Sequence, residues 1–549
     1  MFKARASLHS LLFLVSLSLV SSFPVRRPRD WIARDAEDGR TRSITLPLQA
    51  RKVAKRAYVE DLLAGAIGLG DYQDMVYTVS VQIGNTTTTL NLDTGSSDLW
   101  VMSTGCDTTV CQETTSIAYS TSGMTSTGAS VNLTYGDSTT GTYASGPIGL
   151  DTVTLAGLSM NDQPFAAVDN TDNSAVLNGG AGIIGLGFPS ESFIETQLTN
   201  EKFNNPTTTD DFVSHISAYG PIVSRLVAAG EIDQPLFAVT LQRDTVDVSG
   251  KGQLTIGELP DGVENASITW VPVRLYSSAD GGLSAPTFAS DEVYPLRWEV
   301  PIDNVYLDGK VLANSTIAPD GVTTSFIDAL IDTGNSLIRG PQDVVNNILS
   351  TVSPAYAADS SAKATLPCTD AHTLAFEIGG KMFSVDPRDF VSQNQTGNAT
   401  ECVASSVTST DPPSLGSLFS WSLGDPFLKS NLAVFYYGNL TNPSVDPPRI
   451  GFMSMVPSNA SELLDEAVSK AEKDGGDFST TLDVAPTAST VVDIPVTITS
   501  TSSGQSYSMT AADVSSKNSS SAASSTSRSI GSLLFCVVLV VSTLLSGTL

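Results

Sequence analysis

The sequence predicts an all-β protein over its central part, from about Asp71 to Pro457. Apolar residues alternate with polar ones along short runs, as Val79, Val81 and Ile83 do with Ser80 and Gln82 between them, and this alternation is typical of half-buried strands. Similar runs rich in Val, Ile, Thr and Tyr recur between Gly, Asn and Asp residues. Long amphipathic helices are scarce, and the pattern predicts one short helix, from Asp343 to Val352.

A second observation is a repeated motif. Leu92-Asp93-Thr94-Gly95-Ser96-Ser97 recurs as Ile331-Asp332-Thr333-Gly334-Asn335-Ser336. Each copy places an Asp after an apolar strand and before a turn of small residues, where Gly permits tight backbone geometry and neighbouring hydroxyl groups can bond a carboxylate. One copy would be ordinary turn chemistry, but two copies far apart in one chain indicate a shared site.

Two adjacent carboxyl groups predict a specific chemistry for Asp93 and Asp332. Because two close carboxylates cannot both ionise cheaply, the pair holds one proton between them. One group can then act as a base toward water while the other acts as an acid toward a peptide carbonyl. The shared-proton state belongs to the pair, so we expect peptide hydrolysis to be favoured in acid.

These motifs resemble those of the pepsin-like aspartic proteases, over most of Tyr72 to Met453. The segments Asp93 to Val101 and Ala329 to Leu337 are similar to the two active-site segments of that family. Supporting segments are similar too, at Ile183-Ile184-Gly185 and Leu423-Gly424-Asp425-Pro426-Phe427. The resemblance implies an aspartic endopeptidase with Asp93 and Asp332 as catalytic residues.

Further roles follow from the resemblance alone. It implies a bilobal fold of two β-barrel-like lobes, residues 57–245 and 246–457, with the active-site cleft between them. It implies disulfides Cys106–Cys111 and Cys368–Cys402. The residues that it places around the carboxylates, as support for the active-site loops, are Thr94, Gly95, Ser96, Thr333, Gly334, Asn335 and Ser336. The residues that it places at the flap over the substrate are Tyr135, Gly136, Asp137 and Trp100, with Tyr135 hydrogen-bonded to Trp100.

The sequence also departs from the family pattern. Asn335 stands where Ser or Thr is usual, so its bond to Asp332 is altered, although an amide can still donate one. Ser422 replaces an apolar residue of the second supporting segment. Residues 274–296 form a longer stretch and predict an extra surface loop. A glycosylation sequon at Asn132 lies three residues before Tyr135, where a glycan could impede the flap.

The N-terminal 56 residues predict two removable segments. Residues 1–22 combine Lys3 and Arg5 with an apolar run, which is typical of a secretory signal peptide, the alternative being a signal anchor. Residues 23–56 are Arg-rich and end in Lys55-Arg56, which predicts a propeptide cleaved there that inhibits the enzyme intramolecularly, the alternative being a basic surface tail.

The C-terminal part predicts attachment to a surface. Residues 458–520 begin as an acidic stretch and continue as a Ser/Thr-rich one, a composition that predicts an extended stalk. Residues 521–549 end in an apolar tail and follow small residues at Asn518, which is typical of a glycosylphosphatidylinositol (GPI) attachment signal; a C-terminal membrane segment is the alternative. This arrangement resembles yapsin-like fungal proteases, and predicts a protein at the plasma membrane or cell wall, or an extracellular one if released.

The charge and composition of the chain argue against some classes of binding partner. The first 56 residues carry 12 basic and 4 acidic side chains, which leaves 17 basic against 53 acidic in the remainder. A body this acidic repels nucleic acid. Five cysteines and nine glycosylation sequons agree with secretion. We expect a monomer that acts on polypeptides, with no metal or other cofactor.

Other function classes fit less well. The chain has no Gly-x-Ser-x-Gly and no His-Glu-x-x-His, and only three His, which argues against a serine hydrolase and a zinc peptidase. A protease-shaped binding protein and a structural surface glycoprotein stay open as alternatives. The first would not need both Asp residues, and the second leaves the repeated motif unexplained.

Overall fold

The computed structural model describes residues 62–203, 207–324 and 326–494. The signal peptide, the propeptide with Lys55 and Arg56, and the C-terminal segment with Asn518 lie outside the described residues. The strands of the described residues are β1 Leu62–Gly68, β2 Gly70–Tyr72, β3 Tyr77–Ile83, β4 Thr86–Asp93, β5 Leu99–Met102, β6 Thr125–Tyr135, β7 Thr142–Leu155, β8 Leu158–Val168, β9 Asn170–Thr171, β10 Gly182–Gly185, β11 Leu236–Thr240, β12 Gln253–Ile256, β13 Thr269–Pro272, β14 Glu299–Ile302, β15 Asn304–Leu307, β16 Lys310–Val311, β17 Ile327–Ile331, β18 Ile338–Gly340, β19 Thr365–Pro367, β20 Leu374–Ile378, β21 Lys381–Ser384, β22 Ser392–Gln395, β23 Asn398–Val403, β24 Val407–Ser409, β25 Trp421–Leu423, β26 Asn431–Tyr436, β27 Arg449–Ser454, β28 Leu482–Asp483 and β29 Ser489–Ile494.

Helices are short and few beside these strands. In the same described ranges they are α1 Thr109–Glu113, α2 Phe193–Phe203, α3 Thr209–Ser214, α4 Ile216–Tyr219, α5 Ile222–Ala229, α6 Gln342–Val352, α7 Pro354–Ala358, α8 Pro387–Phe390, α9 Asp425–Ser430 and α10 Ala460–Lys473. The predicted all-β class is confirmed, and α6 is the helix predicted from Asp343. Within these ranges no helix is both long enough and apolar enough to cross a membrane.

The strands form two lobes and a shared sheet. The N-terminal lobe is a ten-stranded sheet in the order β28-β2-β3-β4-β10-β5-β8-β7-β6, with β9 beside β7. The C-terminal lobe has sheets of five, four and three strands, ordered β14-β17-β25-β18-β24, β16-β15-β20-β21 and β19-β23-β22. The shared sheet has seven strands in the order β13-β27-β26-β11-β12-β1-β29.

The lobe boundary differs from the one drawn between residues 245 and 246. That position falls in the loop between β11 and β12, which are adjacent antiparallel strands of the shared sheet. The sheet also holds β1 from the start of the described chain and β26 and β27 from much later. A single sequence boundary therefore cannot separate the lobes, because strands distant in sequence complete one sheet.

Residues 458–494 are not an extended stalk. Helix α10 packs on α8 and β23 and buries Leu464, Ala467, Val468 and Ala471, a spacing that puts them on one helix face. Full burial of a side chain such as Leu464 is worth about 1.5–3 kcal/mol. Strand β28 pairs with β2, and β29 pairs with β1 along Leu62 to Ile67. Strand β29 contains the β-branched run Thr490-Val491-Val492, which is typical of a strand, but the Ser/Thr-rich sequence around it outweighed that signal.

Both disulfides implied by the resemblance are present. Cys106 and Cys111 are joined across a Cα–Cα distance of 6.0 Å, and Cys368 and Cys402 across 4.9 Å, with both of the latter buried. Residues 274–296 form a loop with one short 3-10 turn, Ser278–Asp280, anchored by a bridge between Tyr276 and Tyr294.

Aromatic side chains fill the region beneath the cleft. Trp298, Phe237, Phe435 and Tyr437 are fully buried and lie in mutual contact. The indole N–H of Trp298 and the hydroxyl of Tyr437 both donate to the carbonyl of Leu186, at 2.9 and 2.7 Å. Leu186 in turn donates its N–H to the carbonyl of Asp93 at 2.8 Å. The aromatic cluster therefore fixes the position of the first Asp loop.

Candidate active site

The first Asp loop is held by a parallel strand pair. Asp93 ends β4, which pairs with β10 so that Gly185 lies opposite Asp93. Strand β10 also pairs antiparallel with β5, which follows the loop. A Cβ built on Gly185 would lie 2.5 Å from the Asp98 nitrogen, so only glycine lets the supporting strand approach this closely.

The second Asp loop has the same construction. Asp332 follows β17, which pairs in parallel with β25, and β25 pairs antiparallel with β18 beyond the loop. Gly424 follows β25 and comes so close to the carbonyl of Asn335 that no Cβ would fit. The repeated motif therefore lies at equivalent positions of two similar strand arrangements, and the loops face each other.

The two carboxyl groups are close neighbours, because a Cβ built on Gly95, in the loop of Asp93, would clash with the carboxylate of Asp332. Asp93 accepts hydrogen bonds from the Gly95 N–H at 2.8 Å and the Ser96 hydroxyl at 2.5 Å. Asp332 accepts one from the Gly334 N–H at 2.9 Å. A Cβ on Gly334 would stand 2.5 Å from the Asp93 carboxylate oxygen, so glycine is needed for the close approach.

Burial governs the protonation of this pair. Burial raises the pKa of Asp93, while the bonds from Ser96 and Gly95 act to lower it. Burial also raises the pKa of Asp332, and the neighbouring charge of Asp93 raises it further. The raised pKa of Asp332 means that the pair keeps one proton well above the pH at which an ordinary carboxyl loses it.

Thr94 and Thr333 join the two loops directly. The Thr94 hydroxyl donates to the carbonyl of Ile331 at 2.7 Å and accepts from the Thr333 N–H at 3.0 Å. The Thr333 hydroxyl donates to the carbonyl of Leu92 at 2.8 Å and accepts from the Thr94 N–H at 3.0 Å. Of the motif hydroxyls predicted to bond a carboxylate, that of Ser96 does so, whereas those of Thr94 and Thr333 tie one lobe to the other and set the separation of the carboxyls.

Replacing Thr94 by Val is therefore expected to weaken both folding and activity. The isosteric change leaves a buried carbonyl at Ile331 and a buried N–H at Thr333 without partners, at about 1–3 kcal/mol each. Urea denaturation should show a free energy of unfolding lower by about 2–4 kcal/mol, together with a lower kcat.

Thr351→Val is the matched control, since Thr351 is exposed on α6 and its hydroxyl bonds only the carbonyl of Asn347. A Thr94→Val protein as stable and as active as this control would show that the hydroxyl bridge does not set the site.

The side chain of Asn335 does not bond the carboxyl group of Asp332, although its backbone N–H donates to the Asp332 carbonyl at 3.3 Å. Its amide nitrogen donates to the Ser422 hydroxyl at 2.8 Å, and its oxygen accepts from the Leu337 N–H at 3.1 Å. Ser336 has no side-chain hydrogen bond to the described residues. The two departures from the family pattern are thus one feature, because Ser422 supplies the partner that Asn335 uses. Asp332 consequently has one donor fewer than Asp93.

The flap hairpin is formed by β6 and β7, with its turn at Gly136 and Asp137. Gly136 has φ +82°, a conformation that favours glycine. The rings of Tyr135 and Trp100 are neighbours, with centroids 6.4 Å apart. Across the described part of the chain, neither the Tyr135 hydroxyl nor the Trp100 N–H makes a hydrogen bond of full geometry. Burial raises the pKa of Tyr135, and the neighbouring Trp100 N–H opposes that rise, so the bond implied between them stays a prediction. Asn132 is exposed and, three residues away on the strand, points to the opposite side from Tyr135.

Several residues near the site were not singled out from the sequence. Asp98 is buried and accepts from the Ser192 hydroxyl at 2.6 Å and the Phe193 N–H at 2.9 Å at the start of α2. Burial raises the pKa of Asp98 to about 6. Arg339 and Asp411 bond the flap turn. The sequence did offer a signal for Arg339, which is a charged residue within the apolar stretch after the second motif. No comparable sequence signal marked Asp411.

Comparisons with known proteins agree with this geometry. A family model described as eukaryotic aspartyl protease matches residues 76–445. The chain is 26% identical over 414 residues to a protein named aspartic protease from Phaffia rhodozyma, covering 74% of this chain and 82% of the relative. It is 26% identical over 411 residues to major aspartyl peptidase 1 of Cryptococcus neoformans var. grubii, covering 71% of each. It is 28% identical over 380 residues to pepsin A of Canis lupus familiaris, covering 68% and 81%.

Proposed function

Since the chain belongs to the eukaryotic aspartyl protease family and is an aspartic-type endopeptidase, we propose that Asp93 and Asp332 are its catalytic residues and that it works in acid. The observation that carries this proposal is the placement of two carboxyl groups as close neighbours, one from each lobe, with Asp93 buried and Asp332 half-buried. Its substrates are polypeptides.

The hydrolysis follows from the shared proton. A water molecule between the carboxyls loses a proton to the ionised group as it attacks the peptide carbon, while the protonated group gives its proton to the carbonyl oxygen. The hydroxyl of Ser96 is an additional donor to Asp93, which favours the charge on Asp93 and the proton on Asp332. The tetrahedral intermediate then collapses as Asp93 passes the proton taken from water to the leaving amine and a hydroxyl of the intermediate returns a proton to Asp332, so no covalent bond to the protein forms.

The acid preference rests on the same pair. As pH rises through the upper pKa of the pair, the shared proton is lost, two negative charges face each other and no acid is left for the carbonyl oxygen. As pH falls through the lower pKa, both groups are protonated and no base remains. The raised pKa of Asp332 places the upper limit above the ordinary carboxyl range.

Digestion of an unfolded protein tests this function. We expect cleavage at acid pH that is lost as the pH rises through the upper pKa of the pair, and that a pepstatin-like inhibitor blocks. Peptide mapping of the products would give the side-chain preference at the cleaved bond. Cleavage that ignores the inhibitor, or that is absent across the acid range in the mature protein, would contradict the proposal.

We further propose that the enzyme is made as a zymogen. The support is residues 23–56, where basic residues predominate over acidic ones and which end in Lys55-Arg56, ahead of a strongly acidic body. A cationic segment bound to an anionic body is held by charge and loosens as carboxylates are protonated. A mature N-terminus elsewhere than after Arg56 would argue against this.

Surface display is the remaining proposal. Small residues around Asn518, a polar spacer and the apolar tail that ends at Leu549 support a GPI anchor. Secretion through residues 1–22 and glycosylation at the sequons agree with it. Treatment of cells with a phospholipase specific for phosphatidylinositol should release the enzyme, whereas a protein held by a membrane helix would stay bound.

A further inference from the structure

The turn of the flap is organised by one carboxylate. One oxygen of Asp137 accepts four hydrogen bonds, from the backbone N–H and the hydroxyl of both Thr139 and Thr140, at 2.7 to 2.9 Å. Its second oxygen accepts from the Arg339 guanidinium at 2.7 Å. Arg339 belongs to β18, in the C-terminal lobe, so this ion pair crosses from the flap to the opposite lobe.

The next residue of the turn makes a second crossing. Ser138 donates its N–H to one oxygen of Asp411 at 2.9 Å and its hydroxyl to the other at 2.7 Å. Asp411 lies just beyond β24, which pairs in parallel with β18. Two consecutive flap residues are thus bound to two neighbouring segments of the C-terminal lobe.

Arg339 is itself held in place by the second Asp loop. Its Nε donates to the oxygen of Asn335 at 3.3 Å, and the amide of Asn335 donates to Ser422. The departures at Asn335 and Ser422 therefore belong to a continuous chain of side chains. This chain runs from the support strand β25 through the second Asp loop to the flap turn.

We propose that Arg339 and Asp411 form a latch that holds the flap closed over the cleft, and that Arg339 is a positioning residue that links flap closure to the loop bearing Asp332. The proposal rests on the proposed function of the dyad. Arg339 makes no hydrogen bond to either catalytic carboxyl; it acts through Asp137 on the flap and through Asn335 on the loop, and its positive charge opposes the rise in the pKa of Asp332 that burial causes.

The Asp137–Arg339 half of the latch is suited to acid conditions. Partial burial opposes ionisation, but the bonds from Thr139 and Thr140 hold the pKa of Asp137 at about 2. A group with a lowered pKa keeps its charge, and the stabilisation that comes with it, until the pH falls through that value. The Asp137–Arg339 pair therefore persists across the range in which the dyad shares its proton.

Closure by this latch should affect substrate binding more than the chemical step. A closed flap covers bound substrate in both the ground state and the transition state, and uniform stabilisation lowers KM without raising kcat. Partly buried charge-assisted pairs support an effect of about tenfold. We therefore expect Arg339→Met to raise KM about tenfold while kcat changes less than about twofold.

Hydrogen exchange of the flap amides, residues 134–143, gives a readout that does not depend on activity. In the mature enzyme, Arg339→Met should speed this exchange about tenfold, Asp411→Asn a few-fold, and Arg339→Lys should restore part of the protection because it keeps the charge on the latch. Asp411 is exposed, so Asp411→Asn tests the latch without leaving an unsatisfied polar group in the interior.

Asp210→Asn is the matched control. Asp210 accepts from Thr287 with the same two-bond geometry, at 2.8 Å from the N–H and 2.6 Å from the hydroxyl, but it joins α3 to the 274–296 loop. Its variant should leave flap exchange and KM unchanged. The latch would be overturned if Arg339→Met and Asp411→Asn showed the same flap exchange and the same KM as this control. Failure of the proposed function would look different, as loss of cleavage by the wild-type enzyme whatever its flap exchange.

Discussion

Replacing either Asp93 or Asp332 by Asn is expected to lower kcat by at least about 10³-fold, because each variant destroys the shared-proton state. An amide cannot accept a proton from water as a carboxylate does, and it cannot deliver one to the carbonyl oxygen. Asn is nearly isosteric, so the loop should keep its shape and the flap should still close.

The two substitutions should not be additive. Because the carboxyls act as a unit, the double variant is expected to be about as inactive as either single one. Turnover of a peptide with one scissile bond, measured at acid pH, gives the comparison, and binding of a pepstatin-like inhibitor shows whether the cleft is intact. Asp465→Asn, an exposed α10 carboxylate, is the control. Wild-type turnover by either single variant would refute the dyad.

Stability is expected to fall as pH rises from acid to neutral and beyond, because many carboxyl groups are buried with raised pKa values. Burial raises the pKa of Glu299 to about 7. Burial and the charge of Asp74 raise the pKa of Asp71 to about 9. Burial also raises the pKa of Glu195 and that of Asp425 well above the usual range, and these two groups have no hydrogen-bond partner among the described residues.

The direction of this change follows from proton linkage. A carboxyl with a raised pKa in the folded state binds its proton more tightly there than in the unfolded chain. Its contribution is complete below the unfolded value near 4 and is lost as pH rises through the folded value. A pKa difference of one between the folded and unfolded states corresponds to about 1.4 kcal/mol, so the set of buried carboxyls is worth on the order of several kcal/mol.

The buried ion pairs do not reverse this trend. Although burial opposes ionisation, Arg243 and Lys429 hold the pKa of Asp389 far below its usual range, with Arg243 at 2.6 Å and Lys429 at 3.2 Å. A lowered pKa gives stability that is present above the unfolded value and is lost only when the pH falls through the folded one. This cluster therefore stays intact in the acid range where the raised groups are protonated.

Urea denaturation of the inactive Asp332→Asn protein, which cannot digest itself, should give a higher midpoint at acid than at neutral pH. Glu195→Gln should reduce that difference, since it removes a carboxyl that is 0% exposed. Glu472→Gln, on the exposed face of α10, should leave it unchanged. Equal midpoints at the two pH values would contradict the expected loss of stability on leaving the acid range.

The strands and the paired Asp motifs could be predicted from the sequence because each leaves a local pattern in it. The alternation of apolar and polar residues from Val79 to Ile83 indicates a strand with one apolar and one polar face. The Asp-Thr-Gly motif indicates a turn that needs a glycine. Sequence reasoning failed for β29, because the Ser/Thr-rich sequence around the strand outweighed its β-branched residues Thr490, Val491 and Val492, and because its partner β1 lies at the other end of the described chain. It also overlooked α10, whose five buried residues lie in an acidic, sequon-bearing stretch.

The sequence by itself determined the all-β class, the presence of two equivalent Asp turns and the chemistry that a pair of carboxyls allows. Only the tertiary structure decided how those turns meet: that Thr94 and Thr333 bond the opposite backbone, that Asn335 turns to Ser422, and that Arg339 and Asp411 bind the flap. The physical reason is distance along the chain. Local patterns fix what a segment can become, whereas the distant partner of a hydroxyl, amide or guanidinium depends on how the strands and lobes come together.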